Sequence, residues 1–100
     1  MSHQVIAEIM VAPTSSGTSV SRYVCGVLEV IKETPGVTFQ VSAMGTVVQG
    51  PLDTILQMTA RMHEVPFNMG AQRVTTLLRI DDRRDKEATI QSKLKAVGQA

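Results

Sequence analysis

From His3 to Ala12 the chain is apolar almost without a break (HQVIAEIMVA), with Glu8 as the exception. Such a run predicts a strand covered at least partly on both faces. Alternation places Val5, Ala7, Ile9 and Val11 on one face and Ile6, Glu8 and Met10 on the other. Pro13 and the following Thr-Ser-Ser-Gly stretch end the strand in a loop. Helical spacing then takes over from about Ser19 to Glu33, where Thr18 or Ser19 can cap the first turn. Val20, Tyr23, Val24, Val27, Ile31 and Val30 form its apolar stripe, and Pro35-Gly36 stops it.

A second strand is expected from Val37 to about Met44, with Val37, Phe39, Val41 and Ala43 facing helices and Thr38, Gln40, Ser42 and Met44 facing away. Gly45 can adopt a positive φ at the turn or bulge before a short third strand, Thr46 to Gln49. Gly50-Pro51 ends that strand, and Pro51 suits the first turn of a helix from Leu52 to about Glu64. The inner stripe of this helix is Leu52, Ile55, Met58 or Thr59, and Met62, and Val65-Pro66 closes it. Gly70 marks a turn before a fourth strand, Arg73 to Ile80, in which Val74, Thr76, Leu78 and Ile80 oppose Arg73, Thr75, Leu77 and Arg79. A charged run follows, and Ile90, Leu94 and Val97 define a short helix from about Lys86 to Val97.

The order β-α-β-β-α-β is the split-βαβ arrangement of an α+β, ferredoxin-like two-layer sandwich, here with an added C-terminal helix. Two helices cover one sheet face. The other face carries Ile6, Glu8, Met10, Gln40, Ser42, Met44, Thr75 and Leu77, too apolar a mixture to leave wholly in water. Burial of that face against a second subunit is therefore expected. No repeat or domain boundary interrupts residues 1–100, and one domain is expected.

Composition narrows the function classes. With 43% hydrophobic and 19% charged residues the chain is not a disordered tail, and a formal charge of +1 gives no general attraction to nucleic acid or an anionic membrane. No apolar run reaches the ~20 residues of a membrane span, and no signal peptide is evident at the N-terminus. A single cysteine, Cys25, leaves no intramolecular disulfide, which fits a reducing cytoplasmic setting. His3 and His63 lack metal-ligand spacing, and no phosphate loop, dinucleotide fingerprint or catalytic constellation is present, so neither metal nor cofactor is expected.

Glu8 carries the most information. A carboxylate in an apolar strand costs several kcal/mol if buried alone, so it calls for a partner. Arg73 or Arg79 could supply it, if the first and fourth strands are outer strands meeting across a dimer. Glu8 is then either a ligand-binding carboxylate or half of a structural ion pair. Ser42 to Thr46 could set a hydroxyl and free N–H groups beside a pocket, or form only a turn. The Gly17-Thr18-Ser19 helix start could receive an anion, or merely cap. The alternating charges from Asp81 to Lys86 are a solvated face or a tether for the last helix.

Several stretches together resemble one family: Glu8 to Pro13 (EIMVAP), Gly17 to Val24 (GTSVSRYV), Met44-Gly45-Thr46 with Gly50, His63 followed by Gly70, and Arg73 to Lys86 (RVTTLLRIDDRRDK). Their order and spacing are similar to the small thiamine-binding proteins of the YkoF-like superfamily. The resemblance implies a ferredoxin-like fold, dimers or tetramers, and non-enzymatic binding of thiamine or its hydroxymethyl-pyrimidine moiety. By motif position it makes Glu8, Ser21, Met44, Gly45 and Thr46 ligand contacts, with Arg73 and Thr75 as further candidates. An aminopyrimidine needs an acceptor for its amino group and a donor for a ring nitrogen, and a carboxylate suits the thiazolium cation. With Tyr23, Phe39 and Phe67 as the only aromatics, and the first two phased inward, the ring is expected to lie against aliphatic and Met side chains. A small ferredoxin-like enzyme with Glu8 as base, and an assembly module with no ligand, are the competing readings.

Overall fold

The structure is a computed structural model that describes residues 3–13 and 21–98. Among these residues the elements run β1 (Gln4–Pro13), α1 (Ser21–Lys32), β2 (Thr38–Ser42), β3 (Gly45–Pro51), α2 (Leu52–Asn68), β4 (Val74–Asp81) and α3 (Ile90–Ala96). The strands form one antiparallel sheet in the order β2-β3-β1-β4, the ferredoxin-like α+β sandwich with an added helix. β1 is thus an inner strand paired directly with β4 within the chain, and not an outer strand that meets β4 only across a dimer.

The alternation read from the sequence sets the faces. Val5, Ala7 and Ile9 of β1 and Val48 of β3 pack on Val27, Val30 and Ile31 of α1 and Ile55, Met58 and Met62 of α2. Each is at most 8% exposed, so this layer is the dry core. At about 25 cal/mol per Å² of apolar surface, it supplies most of the driving force for folding. Two turns need glycine: Gly36 (φ 85°) between α1 and β2, and Gly70 (φ 103°) between α2 and β4.

Six expectations are corrected. β2 is an edge strand beyond the reach of the helices, so Phe39 and Val41 point to the helix side yet remain 36% and 53% exposed. α2 does not close at Val65-Pro66 but runs on to Asn68 with Pro66 inside its last turns. The ring of Pro66 is fully buried and its carbonyl accepts from the N–H groups of Met69 and Ala71 at 3.1 and 2.9 Å, which offsets the one helical bond proline removes. Gly45 has no positive φ; the hairpin turns at Ala43-Met44. Pro51 ends β3 in extended backbone and caps α2, one residue before the position expected. The last helix starts at Ile90, not Lys86, because Thr89 and Ser92 form a reciprocal capping box there, each side chain accepting from the other's N–H at 2.9 Å. In α1, Val24 is 43% exposed and lies outside the buried stripe. Val20 lies outside the described residues.

The second sheet face is partly covered by the chain itself. Gln49, Ile6 and Asp81 are neighbours across β3, β1 and β4. α3 lies over this row: the N–H of Ile90 donates to Gln49 Oε1 at 2.9 Å, and Lys93 pairs with Asp81. Ile6 is consequently only 7% exposed, whereas Leu77, further along β4 on the same face, is 58% exposed.

Because Ile55 is fully buried and its neighbour Leu56 is 47% exposed, one helix carries its own control. Ile55→Ala should lower the unfolding free energy by about 2–5 kcal/mol in urea titration, and Leu56→Ala by less than about 1 kcal/mol. Equal effects would contradict the packing described.

Candidate functional site

Past the point where α1 leaves the core, its half-exposed side chains and the β2-β3 hairpin stand apart. Between them lies a groove of about 330 Å³, walled by Val24, Val27 and Leu28 on α1 and by Val41 to Thr46 on the hairpin, with Ile9 to Val11 of β1 at its base. The gap follows from β2 being an uncovered edge that stops at Ser42. Met44 stands 79% exposed at the rim, while Thr46 is only 8% exposed on the helix side of the sheet. Ser42 Oγ donates to the Gly45 carbonyl at 2.8 Å, which ties the turn together. The walls are aliphatic. Among the described residues, the polar side chains on the lining are those of Ser42 and Thr46, and none of the lining side chains is titratable. Such a surface can hold a flat, uncharged ring edge-on to a hydroxyl and the hairpin backbone; it has no acid or base with which to move a proton.

Gly45 joins this groove to Glu8. A Cβ at position 45 would lie 3.2 Å from the Ile9 carbonyl oxygen and 3.5 Å from Glu8 Cγ, so a side chain there would crowd the strand and the carboxylate stem. Glu8 itself points to the other sheet face, between Val47 and Arg79 in register. Its Oε1 lies 3.2 Å from Arg79 Nη2, with side-chain exposures of 34% for Glu8 and 78% for Arg79. The charge is not deeply buried, and a pair this open contributes ~0–1 kcal/mol. Arg73, the other partner considered, lies just before β4, roughly 20 Å from Arg79 at a strand's rise per residue. Thr75 is exposed opposite Ala12, nearer the Arg73 end of β4.

Of the residues singled out from the sequence, the structure therefore brings Met44, Gly45 and Thr46 to one groove, sets Glu8 beside Gly45 on the opposite face, and leaves Arg73 and Thr75 at the start of β4, beside the Ala12–Pro13 end of β1. Ser21 opens α1, but its side chain and the Gly17-Thr18-Ser19 segment lie outside the described residues. Val24 and Val41, expected in the core, are groove wall instead, and Leu28, which the helical stripe omits, joins them. The exposed edge position of β2 in the split-βαβ order was the available signal.

At the other end of β1 the charged segment after β4 forms local pairs. Arg84 and His3 both reach Asp82, at 2.9 and 2.6 Å, and Arg83 reaches Asp85 at 2.6 Å. The hydrogen bond from Arg84 holds the Asp82 carboxyl below the ordinary aspartate range, and that from Arg83 does the same for Asp85. Among the described residues no His, Cys, Asp and Glu cluster is placed to hold a metal, and no helix is long and apolar enough to cross a membrane.

The fold and the groove define a small ferredoxin-like α+β protein with a recess of metabolite size. The chain belongs to the thiamine-binding protein family, whose model matches residues 7–98. It is 43% identical over 96 residues to a UPF0045 protein of Methanocaldococcus jannaschii, covering 96% of this chain and 94% of that one. The crystal structure of the M. jannaschii protein superposes with a TM-score of 0.92 at 42% identity, over 98% of this chain and 99% of the other. A UPF0045 protein of Bacillus subtilis is 38% identical over 96 residues, covering 92% of each. A Thermotoga maritima protein with a suggested role in thiamine biosynthesis or salvage shares the fold, with a TM-score of 0.77 at 21% identity over 94% of this chain and 98% of that one.

Both lowered carboxyls stabilise the folded segment at pH values above the unfolded aspartate pKa, and that contribution is lost as pH falls through their lowered folded values. Carboxyl-carbon NMR titration should place Asp82 and Asp85 below about 3.9. Arg84→Ala should return Asp82 toward that value and leave Asp85 where it was. An unmoved Asp82 would contradict the pairing.

Proposed function

We propose that this protein binds thiamine, its hydroxymethyl-pyrimidine moiety or a related small heterocycle in the groove between α1 and the β2-β3 hairpin, without catalysing a reaction on it. The observation that carries the reading is the convergence of Met44, Gly45 and Thr46 on one aliphatic recess of about 330 Å³, at the lower end of the ~300–1,000 Å³ usual for small-molecule sites. Membership of a family described as thiamine-binding supplies the ligand class. In this arrangement the pyrimidine lies against Val24, Leu28, Val41 and Met44, and Thr46 with the hairpin backbone meets its polar edge. Ser21, at the start of α1, is a further candidate contact. The cationic thiazolium leans over the Gly45 rim, where the Glu8 carboxylate attracts it. Arg73 and Thr75, at the start of β4 beside the Ala12–Pro13 end of β1, are weaker candidate contacts.

The reading extends to self-association in the cytoplasm. Leu77 is 58% exposed on the part of the sheet face that α3 leaves open, with Met10 directly opposite it in register. A second copy laid there removes both from water, giving a dimer or a tetramer built from dimers.

Calorimetric titration tests the site. The native chain should bind thiamine and hydroxymethyl-pyrimidine saturably. Thr46→Val should weaken both by roughly 3–10-fold, the loss of one hydrogen bond. Val24→Trp, at a half-exposed helix position, should abolish binding by filling the groove. Glu8→Gln should weaken thiamine by about tenfold, or 1.4 kcal/mol, while leaving the uncharged pyrimidine nearly unchanged. No heat from a folded protein with either compound would overturn the reading, and full binding by Val24→Trp would remove it from this groove. In sedimentation, Leu77→Lys should lower the native mass to that of a monomer; an unchanged mass would place the interface elsewhere.

A further inference from the structure

Where Lys93 of α3 reaches over the sheet, an open cleft of about 660 Å³ forms on this face. Its floor is apolar, from Ile6 and Val47, and its walls hold Glu8, Arg79, Asp81 and Lys93. Glu8 pairs with Arg79 at 3.2 Å, and Asp81 pairs with Lys93. Arg79 and Asp81 are two positions apart on one face of β4, roughly 7 Å along the strand. Lys93 comes from the helix above. A fifth charge on the lining, Asp82, is held by Arg84 and His3, and the remaining four alternate in sign: Glu8, Arg79, Asp81, Lys93.

We propose that this cleft is a second ligand site, for a small zwitterion of the α-amino-acid type with an apolar side chain. An alternating ring discriminates by charge pattern. A lone cation drawn between Glu8 and Asp81 is opposed by Arg79 and Lys93, and a lone anion meets the reverse. An ammonium and a carboxylate on one carbon satisfy both carboxylates and both cations at once, while an aliphatic side chain covers the half-buried Val47. Donor capacity remains for this: Arg79 spends one of its five N–H groups on Glu8, and Lys93 one of three on Asp81. The partial exposure of both cations leaves them free to turn toward a ligand, their side chains being 78% and 50% exposed. The cleft lies over the Gln4–Glu8 half of β1, away from the groove at the hairpin, so the proposal does not rest on thiamine binding.

Amide NMR titration of the full chain with L-leucine tests it, with leucinamide (cation only) and 4-methylpentanoate (anion only) as controls. Leucine should give saturable shifts centred on Ile6, Val47, Arg79 and Lys93. Each single-charge control should bind at least about tenfold more weakly. Lys93→Met, on an exposed helix face and remote from the groove, should weaken leucine by a similar factor, and added salt should weaken it further. The leucine shifts should persist in the presence of saturating hydroxymethyl-pyrimidine, which brings no cation to Glu8. Four outcomes each overturn the proposal: no saturable shift up to leucine's solubility limit, equal shifts from either control, full binding by Lys93→Met, or shifts confined to Val41–Thr46. The alternating charges would then be two ordinary surface ion pairs.

Discussion

β1 is hydrogen-bonded along both edges and covered on both faces, and the placement of every other element follows from burying it. Its Val5, Ala7 and Ile9 side demands the two helices, and its Ile6 side demands α3. Pairing with β3 and β4 leaves no free edge on β1 itself, so the exposed edges fall to β2 and β4. The two recesses lie where that cover runs out. One opens at the hairpin, beyond the reach of α1; the other lies under α3, which is too short to seal the face it crosses.

The sheet divides the chemistry as sharply as it divides the packing. On the helix side the groove is aliphatic and uncharged, with Thr46 as its buried hydroxyl. On the other side the row from Gln49 through Ile6 to Asp81 is tied to α3 by polar contacts, and the charges cluster there. Gly45 stands between the two, and without a side chain it lets the hairpin close against β1 beside the stem of Glu8. A neutral ring and a charged group can thus be received on different sides of one strand pair. The proposed function uses this division, with the pyrimidine on the aliphatic side and the cation at the rim beside Glu8.

Much of this was legible in the residues. The order of elements and the alternating faces of β1 and β4 follow from periodicity alone. So does the buried stripe of α2, since apolar spacing reports burial directly. What failed was tertiary. Phe39 and Val41 alternate like core residues, but nothing in a local pattern says that helices stop short of an edge strand. Pro66 reads as a helix stop because its cost is local, whereas the burial of its ring depends on the whole domain. The neighbour relation of Glu8 and Arg79 was contained in the split-βαβ order, where the first strand lies inside the sheet beside the fourth, and was obscured by treating both as outer strands. The groove residues Met44, Gly45 and Thr46 came from family resemblance. Val24 and Leu28 carried no separate signal, because a groove wall and a core stripe use the same side chains.

The central claim is that a thiamine-type ring sits against the aliphatic wall between α1 and the hairpin. Intermolecular nuclear Overhauser contacts between the ring protons of bound thiamine and methyl-labelled protein test it most directly. The account predicts contacts from the pyrimidine methyl and ring proton to the methyls of Val24, Leu28, Val41 and Met44, with none to Leu94 of α3. Contacts to Leu94 and Ile6, or bound thiamine with no contact to the groove methyls, would contradict it.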